Sequence, residues 1–317
     1  MELSRSTTVR THNDSALRLQ QHAVAPHLTA GSRNVSQIRF AHPAEVVIAD
    51  LLDSFGVRWQ YEPTTFPLVT ADCGKPVQSF TPDFFLPEHD VYIEMTTMRQ
   101  SLVTRKNRKY RLLCELYPNL TVRLLYRKDV ELIVGRCTGK SAMLDDSGSP
   151  VVITSDQVAR KAREAVAWIA SLGTWPVALI ALGEGAVQFR DVIAGGLSAI
   201  GRHPVPAQIR VSHDLTKRAN GNAAVLLDSP DDIKSCRRIL VADIVGTGLT
   251  LWKAHSELAE LGVPVSDVIT MLDRRSARLI DVPLALPGLP APSTWLIGAG
   301  LGFGESSNLP DIHGMRT

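Results

Sequence analysis

Residues 238–252 read RILVADIVGTGLTLW, an apolar run ending in an acid, then a loop of small residues, then the start of a helix. Ile239, Leu240, Val241 and Ala242 have the length and branching of a strand buried on both faces, and the turn Gly246-Thr247-Gly248 follows closely. A turn of that composition binds anions. Glycines let backbone N–H groups crowd around a phosphate, the hydroxyls of Thr247 and Thr250 add donors, and a helix opening near Leu249 aims its positive end at the same point. Asp243, at the carboxyl end of the strand, is placed to hold ribose hydroxyls or a Mg2+ ion attached to them. For Gly-Thr-Gly taken alone, an ordinary strand-turn-helix with glycines for geometry is the alternative.

The same unit occurs once before. Residues 177–182 read as a buried strand, Gly183-Glu184-Gly185 as a turn, and residues 186–200 as a helix. Ahead of it, Thr154 or Ser155 caps a helix on which Val158, Ala162, Ala165, Val166 and Ile169 recur at helical spacing. Strands near 207–212, 223–228 and 265–272 complete an alternating α/β pattern. That pattern predicts a doubly wound parallel sheet with the two turns side by side at its carboxyl edge.

The string DIVGTGLTL resembles the phosphoribosyl-diphosphate (PRPP) loop of type I phosphoribosyltransferases, most closely the hypoxanthine-guanine branch. The resemblance extends over most of residues 151–310. ITSDQVARKAREAV is similar to the first helix of that family, ALGEGAVQF to its pyrophosphate loop, Val211-Ser212-His213 to the start of its mobile flap, and WLIGAGLGFGESSNLP to its base-binding segment. It implies that Asp243, Gly246, Thr247, Gly248, Leu249 and Thr250 hold PRPP or a purine nucleotide with Mg2+. It also implies that Gly183, Glu184 and Gly185 face the pyrophosphate, that Arg274 reads the purine's exocyclic oxygen, and that Trp295 stacks on the base.

The departures from the family fall on chemistry. Of its three PRPP-loop acids the first is Ala242, the second is retained as Asp243, and the third, which manages the proton on the purine ring, is Gly246. The pyrophosphate-loop lysine is Glu184, which repels an anion; the acid near the metal is Gly302, and the arginine before Asn-Leu-Pro is Ser307. The sequence thus predicts a cradle that binds with weak or no transfer.

The first half follows another pattern. Val46, Val47, Ala49, Leu51, Leu52 and Phe55 mark a helix closed by Gly56; strands are expected at 58–68, 77–86 and 91–96, a basic helix at 102–116, and a fourth strand at 121–126. This αβββαβ order, with Pro82-Asp83 on the second strand and Glu94 on the third, resembles the restriction-endonuclease-like core of the PD-(D/E)xK nuclease superfamily. The resemblance implies Asp83 and Glu94 as ligands of a Mg2+ or Mn2+ ion that activates water, with Glu45 as a further acid. The expected lysine two residues past Glu94 is Thr96; Lys106 or Lys109 on the following helix is the substitute. Arg105, Lys106, Arg108, Lys109 and Arg111 form a cationic run suited to the phosphates of DNA or RNA, the alternative being a solvated helix face. For Asp83 and Glu94 the alternative is a turn acid and a surface acid.

Composition bounds the rest. With 317 residues, 44% hydrophobic and 21% charged, the chain has the length for two domains. Residues 1–40 are expected as a disordered tail, 41–136 as the nuclease-like domain, 137–150 as a linker, and 151–317 as the phosphoribosyltransferase-like domain. No apolar stretch reaches membrane-spanning length and no signal core stands near the start, so the expectation is a cytoplasmic protein with no membrane partner, plausibly a homo-oligomer. Cys73, Cys114, Cys137 and Cys236 are far apart and read as reduced thiols. A net charge of +2 does not by itself imply nucleic acid. Two rival readings remain: a working purine-type transferase with a nucleic-acid-binding accessory domain, and a non-catalytic interaction scaffold.

Overall fold

The structure, a computed structural model, describes residues 38–96, 100–138, 149–212, 224–229, 231–302 and 304–315. The expected tail up to residue 37, most of the expected linker and the flap beyond Ser212 lie outside the described residues.

In the first half, α1 (Pro43–Ser54) starts where His42 Nδ1 accepts the Ala44 N–H at 3.1 Å and ends at Gly56, whose φ of +72° turns the chain away. Its apolar positions are buried: Ile48, Leu51, Leu52 and, just beyond, Phe55. The strands that follow are β1 (Gln60–Tyr61), β2 (Phe66–Thr70), β3 (Pro76–Phe80), β4 (Phe84–Leu86) and β5 (Val91–Thr96). Each of the first two predicted strands is therefore broken in two. Glu62, at φ +44°, and Pro63 interrupt the first, and Pro82, with no N–H to give a ladder, interrupts the second. The outer pieces β2 and β3 pair as a separate ribbon, while β1, β4 and β5 join β6 (Thr121–Tyr126) in a sheet ordered β1-β4-β5-β6. Helix α2 (Gln100–Leu116) makes the crossover that lets β5 and β6 run parallel. A further helix, α3 (Arg127–Thr138), follows β6 where no element was expected.

In the second half the order is β7 (Val151–Ile153), α4 (Ser155–Ser171), β8 (Val177–Leu182), α5 (Gly185–Ser198), β9 (Val205–Ser212), β10 (Ala224–Asp228), β11 (Arg237–Val245), α6 (Leu249–Glu260), β12 (Asp267–Asp273) and β13 (Leu289–Pro290). Thr154 and Gln157 form a reciprocal capping box at the start of α4. The main sheet is ordered β10-β9-β8-β11-β12-β13, parallel except for the antiparallel edge pair of β9 and β10. All six residues of β8 are buried, as expected of a strand covered on both faces. Ala165 and Ile169 of α4 and Ile193 of α5 pack with Leu179 and Val241 on one face; Leu251 and Leu258 of α6 pack with Ile180 and Leu240 on the other. The sheet is doubly wound. A small sheet of β14 (Leu296–Ile297), β15 (Ile312–Gly314) and β7 stands beside it.

The two halves share a core. Leu249, Leu279 and Ile280, all fully buried, join one apolar cluster with Leu51, Phe84, Ile93 and Leu125. Around it the Ser293 hydroxyl donates to Asp129 at 3.1 Å, Arg123 meets Asp281, and the rings of His89 and Trp252 lie edge to face at 5.7 Å. Ile280→Ala is expected to lower stability by about 2–5 kcal/mol. Urea melting followed on the first half should register the loss, although the substitution lies far away in sequence.

Candidate functional site

Strands β8 and β11 are parallel neighbours in register, Leu182 opposite Ala242, so the turns that leave them stand side by side. The turn after β11 is fixed from outside. Arg278 donates through Nε to the Gly246 carbonyl at 2.8 Å and through Nη2 to the Val245 carbonyl at 3.3 Å, and Nη2 also contacts Asp273 Oδ1 at 2.5 Å. The Thr247 carbonyl accepts from the Leu279 and Ile280 amides at 2.9 and 3.1 Å. Gly248 sits at φ +86° with the Ile280 carbonyl where a Cβ would be, 2.2 Å away, so only glycine fits there.

With its carbonyls held in this way, the loop leaves its amides for a ligand. The Leu249 amide donates to Thr247 Oγ1 at 3.3 Å; those of Gly246, Thr247, Gly248 and Thr250 have no hydrogen-bond partner among the described residues. Those four residues line a cavity of about 270 Å³ at the N-terminus of the twelve-residue α6. Unpaired amides at a helix start form an anion site.

The same cavity collects Gly183, Glu184 and Gly185 from the neighbouring turn, Asp243, and Arg274. Asp243 Oδ1 accepts the Ile244 amide at 2.6 Å, and its other oxygen lies so close to Gly185 that a Cβ there would fall 2.2 Å from it. Glu184 is paired with Arg210 at 3.2 Å. Because both side chains are largely exposed, this pair softens the repulsion of an anion without reversing it. Arg274 is buried and donates to the carbonyls of Pro292 at 2.8 Å and Thr294 at 2.7 Å, which splints the 292–294 segment. Trp295 is half-buried and outside the cavity lining. The segment around Gly300 packs directly on Gly185, with the carbonyl of Gly185 2.6 Å from where a Cβ of residue 300 would sit.

A second group lies in the first half. Asp83 Oδ2 accepts the Met95 amide at 2.6 Å, Lys106 Nζ donates to the Met95 carbonyl at 2.5 Å, and Lys106 pairs with Glu94 Oε1. Asp83 and Glu94 thus meet the same short stretch of β5, together with the lysine of α2. Glu45 Oε2 accepts from the Tyr61 hydroxyl at 2.8 Å and the Ala41 amide at 3.0 Å. Burial pushes the Asp83 carboxyl up to about 6, against the Met95 hydrogen bond and the nearby Lys106, with Glu45 and Glu62 adding to the rise. Burial also lowers the Lys106 ammonium while Asp83 and Glu45 raise it, and the direct contact with Glu94 favours the charged form.

Among the described residues no group of three or more His, Cys, Asp or Glu side chains is arranged to hold a metal ion. A metal would nonetheless suit this cluster, because the other oxygen of Glu94, Oε2, is buried without a hydrogen-bond partner. The cationic run divides along α2. Lys106 and Lys109 turn inward, the latter to the Ser79 carbonyl at 3.1 Å, while Arg105, Arg108 and Arg111 are exposed. No described helix is long and apolar enough to cross a membrane.

A glycine-rich strand-turn-helix on a doubly wound sheet characterises the second half. No family model matches the chain. It is 27% identical over 167 residues to the hypoxanthine-guanine phosphoribosyltransferase of Aquifex aeolicus, covering 51% of this chain and 92% of that protein. The hypoxanthine phosphoribosyltransferase of Haemophilus influenzae is 31% identical over 87 residues, 27% of this chain and 48% of that one. That of Lactococcus lactis, a hypoxanthine-guanine enzyme by name, is 28% identical over 96 residues, 30% and 52%. The chain thus spans nearly all of the Aquifex relative and about half the length of the other two. Similar solved structures include hypoxanthine phosphoribosyltransferases from Staphylococcus aureus (21% identity, TM-score 0.45, 53% of this chain and 92% of that chain) and Trypanosoma cruzi (21%, 0.47, 54% and 94%). Over about half its length the chain is homologous to phosphoribosyltransferases of the hypoxanthine-guanine type.

Sequence reasoning missed Arg278, which clamps the loop, and four apolar residues that line the same cavity from the first half: Leu51, Phe55, Leu132 and Ile133. An arginine 30 residues past the turn carries no local signal, and the four apolar residues read only as helix core.

The raised Asp83 carboxyl has a consequence for stability. Its ionised form is less favourable in the folded than in the unfolded chain, so this group's contribution falls as pH rises from about 4 to about 6, then stays flat. The full swing is roughly 3 kcal/mol. Urea midpoints measured from pH 4 to 8 should show Asp83→Asn gaining on the wild type across that window.

Proposed function

We propose that the second half binds PRPP or a purine nucleotide on the loop 246–250, with little or no transfer activity, and that the first half is a metal-dependent nuclease-like domain. The observation that carries the first part is the set of four unpartnered amides lining a cavity at the start of α6, beside a retained Asp243. The groups that would drive transfer are missing at the matching positions: Gly246 offers no acid, Glu184 no cation, Gly302 no carboxylate, and Ser307 no guanidinium. Each such loss typically costs about 10²–10³ in rate, so together they leave binding without efficient turnover.

In this reading the phosphate sits on the amides, with the hydroxyls of Thr247 and Thr250 alongside, and Asp243 takes the ribose hydroxyls. A Mg2+ ion accompanying PRPP would be held by Asp243 and would supply charge neutralisation for the diphosphate. In the first half Asp83 and Glu94, with Glu45 as a further acid, would hold Mg2+ or Mn2+, which supplies an activated water. Lys106 fills the role of the lysine absent from position 96, offsetting the carboxylate charge from the neighbouring helix. Exposed Arg105 and Arg108 would meet the backbone of DNA or RNA.

One observation favours a second reading, an active transferase of altered base choice: Arg210 pairs with Glu184 and partly relieves the turn of its negative charge. Calorimetry with PRPP, GMP and IMP, with and without Mg2+, separates the two. The first reading expects binding that weakens at least about tenfold in Asp243→Asn, with only trace pyrophosphate release from PRPP and any purine; rapid release would establish the second. For the first half, incubation with plasmid or RNA and Mg2+ or Mn2+ should give cutting that Asp83→Ala abolishes. No cutting by the wild type with either metal would remove the nuclease reading.

A further inference from the structure

The phosphate-loop cavity is not built by one half of the chain. Its lining includes Gly246, Thr247, Gly248 and Thr250 of the loop and the turn 183–185, and also an apolar set from the first half: Leu51 and Phe55 at the end of α1, Leu132 and Ile133 in the middle of α3. All four are at most 5% exposed. A bare phosphate is recognised by the amides alone and gains nothing from such a wall. An anion bearing a sugar or a ring gains from it, because burying apolar area beside a polar anchor is how small-molecule sites combine affinity with orientation.

Of the two groups expected to seat the ring, one lines the cavity but is engaged in bracing the backbone, and the other lies outside it. Arg274 braces the carbonyls of 292 and 294, and Trp295 stands outside the cavity. The apolar lining is shared: Leu182, Ile244, Val245, Leu251 and Ala277 come from the second half, and Leu51, Phe55, Leu132 and Ile133 from the first.

The wall and the loop are also mechanically joined. The Thr247 carbonyl accepts from the amides of Leu279 and Ile280, whose side chains sit in the same apolar cluster as Leu51, Phe55 and Ile133. The loop and the apolar residues of the first half thus meet through the segment that docks the two halves.

We propose that the first half furnishes a ligand-contacting wall of the phosphate-loop site, with Leu51, Phe55, Leu132 and Ile133 selecting a phosphate monoester that carries a sugar and ring over inorganic phosphate. This rests on the reading of the loop as a sugar-phosphate site. The ligand class is a nucleoside monophosphate, held between the loop 246–250 and side chains from the end of α1 and the middle of α3.

The test uses the full chain. Calorimetry is run with GMP, IMP, PRPP and inorganic phosphate on the wild type and on Leu51→Ala and Ile133→Ala. Affinity for the nucleotide is expected to fall about tenfold in each variant while that for inorganic phosphate holds. In parallel, amide hydrogen exchange of the wild type with and without saturating nucleotide should slow in both α1 and α3, a readout that stands even where a variant fails to fold. If the wild type binds none of the four probes, the loop reading itself fails and the wall proposal falls with it. If the wild type binds nucleotide, but folded variants bind it equally well or exchange in α1 and α3 is unchanged, the wall proposal alone is overturned.

Discussion

The carbonyl of Thr247 is the hinge of this molecule. It is held by the Leu279 and Ile280 amides, and the carbonyl of Gly246 by Arg278. A glycine-rich turn has many conformations of similar energy, and only a few point their amides into a common space. External donors that capture the carbonyls choose among those conformations, because a peptide plane whose C=O is fixed has its N–H direction nearly fixed too. The shape of the loop is thus set by three residues some thirty positions away.

The same three residues bind the halves together. Ile280 and Leu279 give their backbones to the loop and their side chains to a core dominated by the first half. Arg278 is buried against Asp273, whose other oxygen takes Arg275 at 3.0 Å. A buried guanidinium with a carboxylate and two carbonyls is well satisfied, and loss of either charged partner would leave the other buried and costly. Loop shape and docking cannot be tuned independently in such an arrangement.

Helix α1 connects two chemistries. Its first turn places Glu45 near the Asp83 and Lys106 group, and its end places Leu51 and Phe55 against the phosphate-loop cavity. The carboxylate cluster owes its character to burial: Asp83 stays protonated to higher pH because β5 and α2 exclude water around it, and Glu94 keeps one oxygen without a partner there.

Most of the element order in both halves and the doubly wound sheet with its glycine turns were legible in the sequence, because apolar periodicity, caps and glycine turns are local signals that the backbone obeys residue by residue. The departures at Glu184, Gly246, Gly302 and Ser307 were equally legible, being matters of residue identity. The break of two predicted strands at Glu62 and Pro82 was less so, since an apolar run continues on both sides and only sheet pairing shows which piece belongs where. What tertiary structure alone decided is which distant groups meet: Arg278 with the loop carbonyls, Lys106 with Glu94, Arg210 with Glu184, and the end of α1 and the middle of α3 with the cavity. Those contacts join residues separated by tens to hundreds of positions, and their energies depend on burial and orientation that exist only once the two halves have packed.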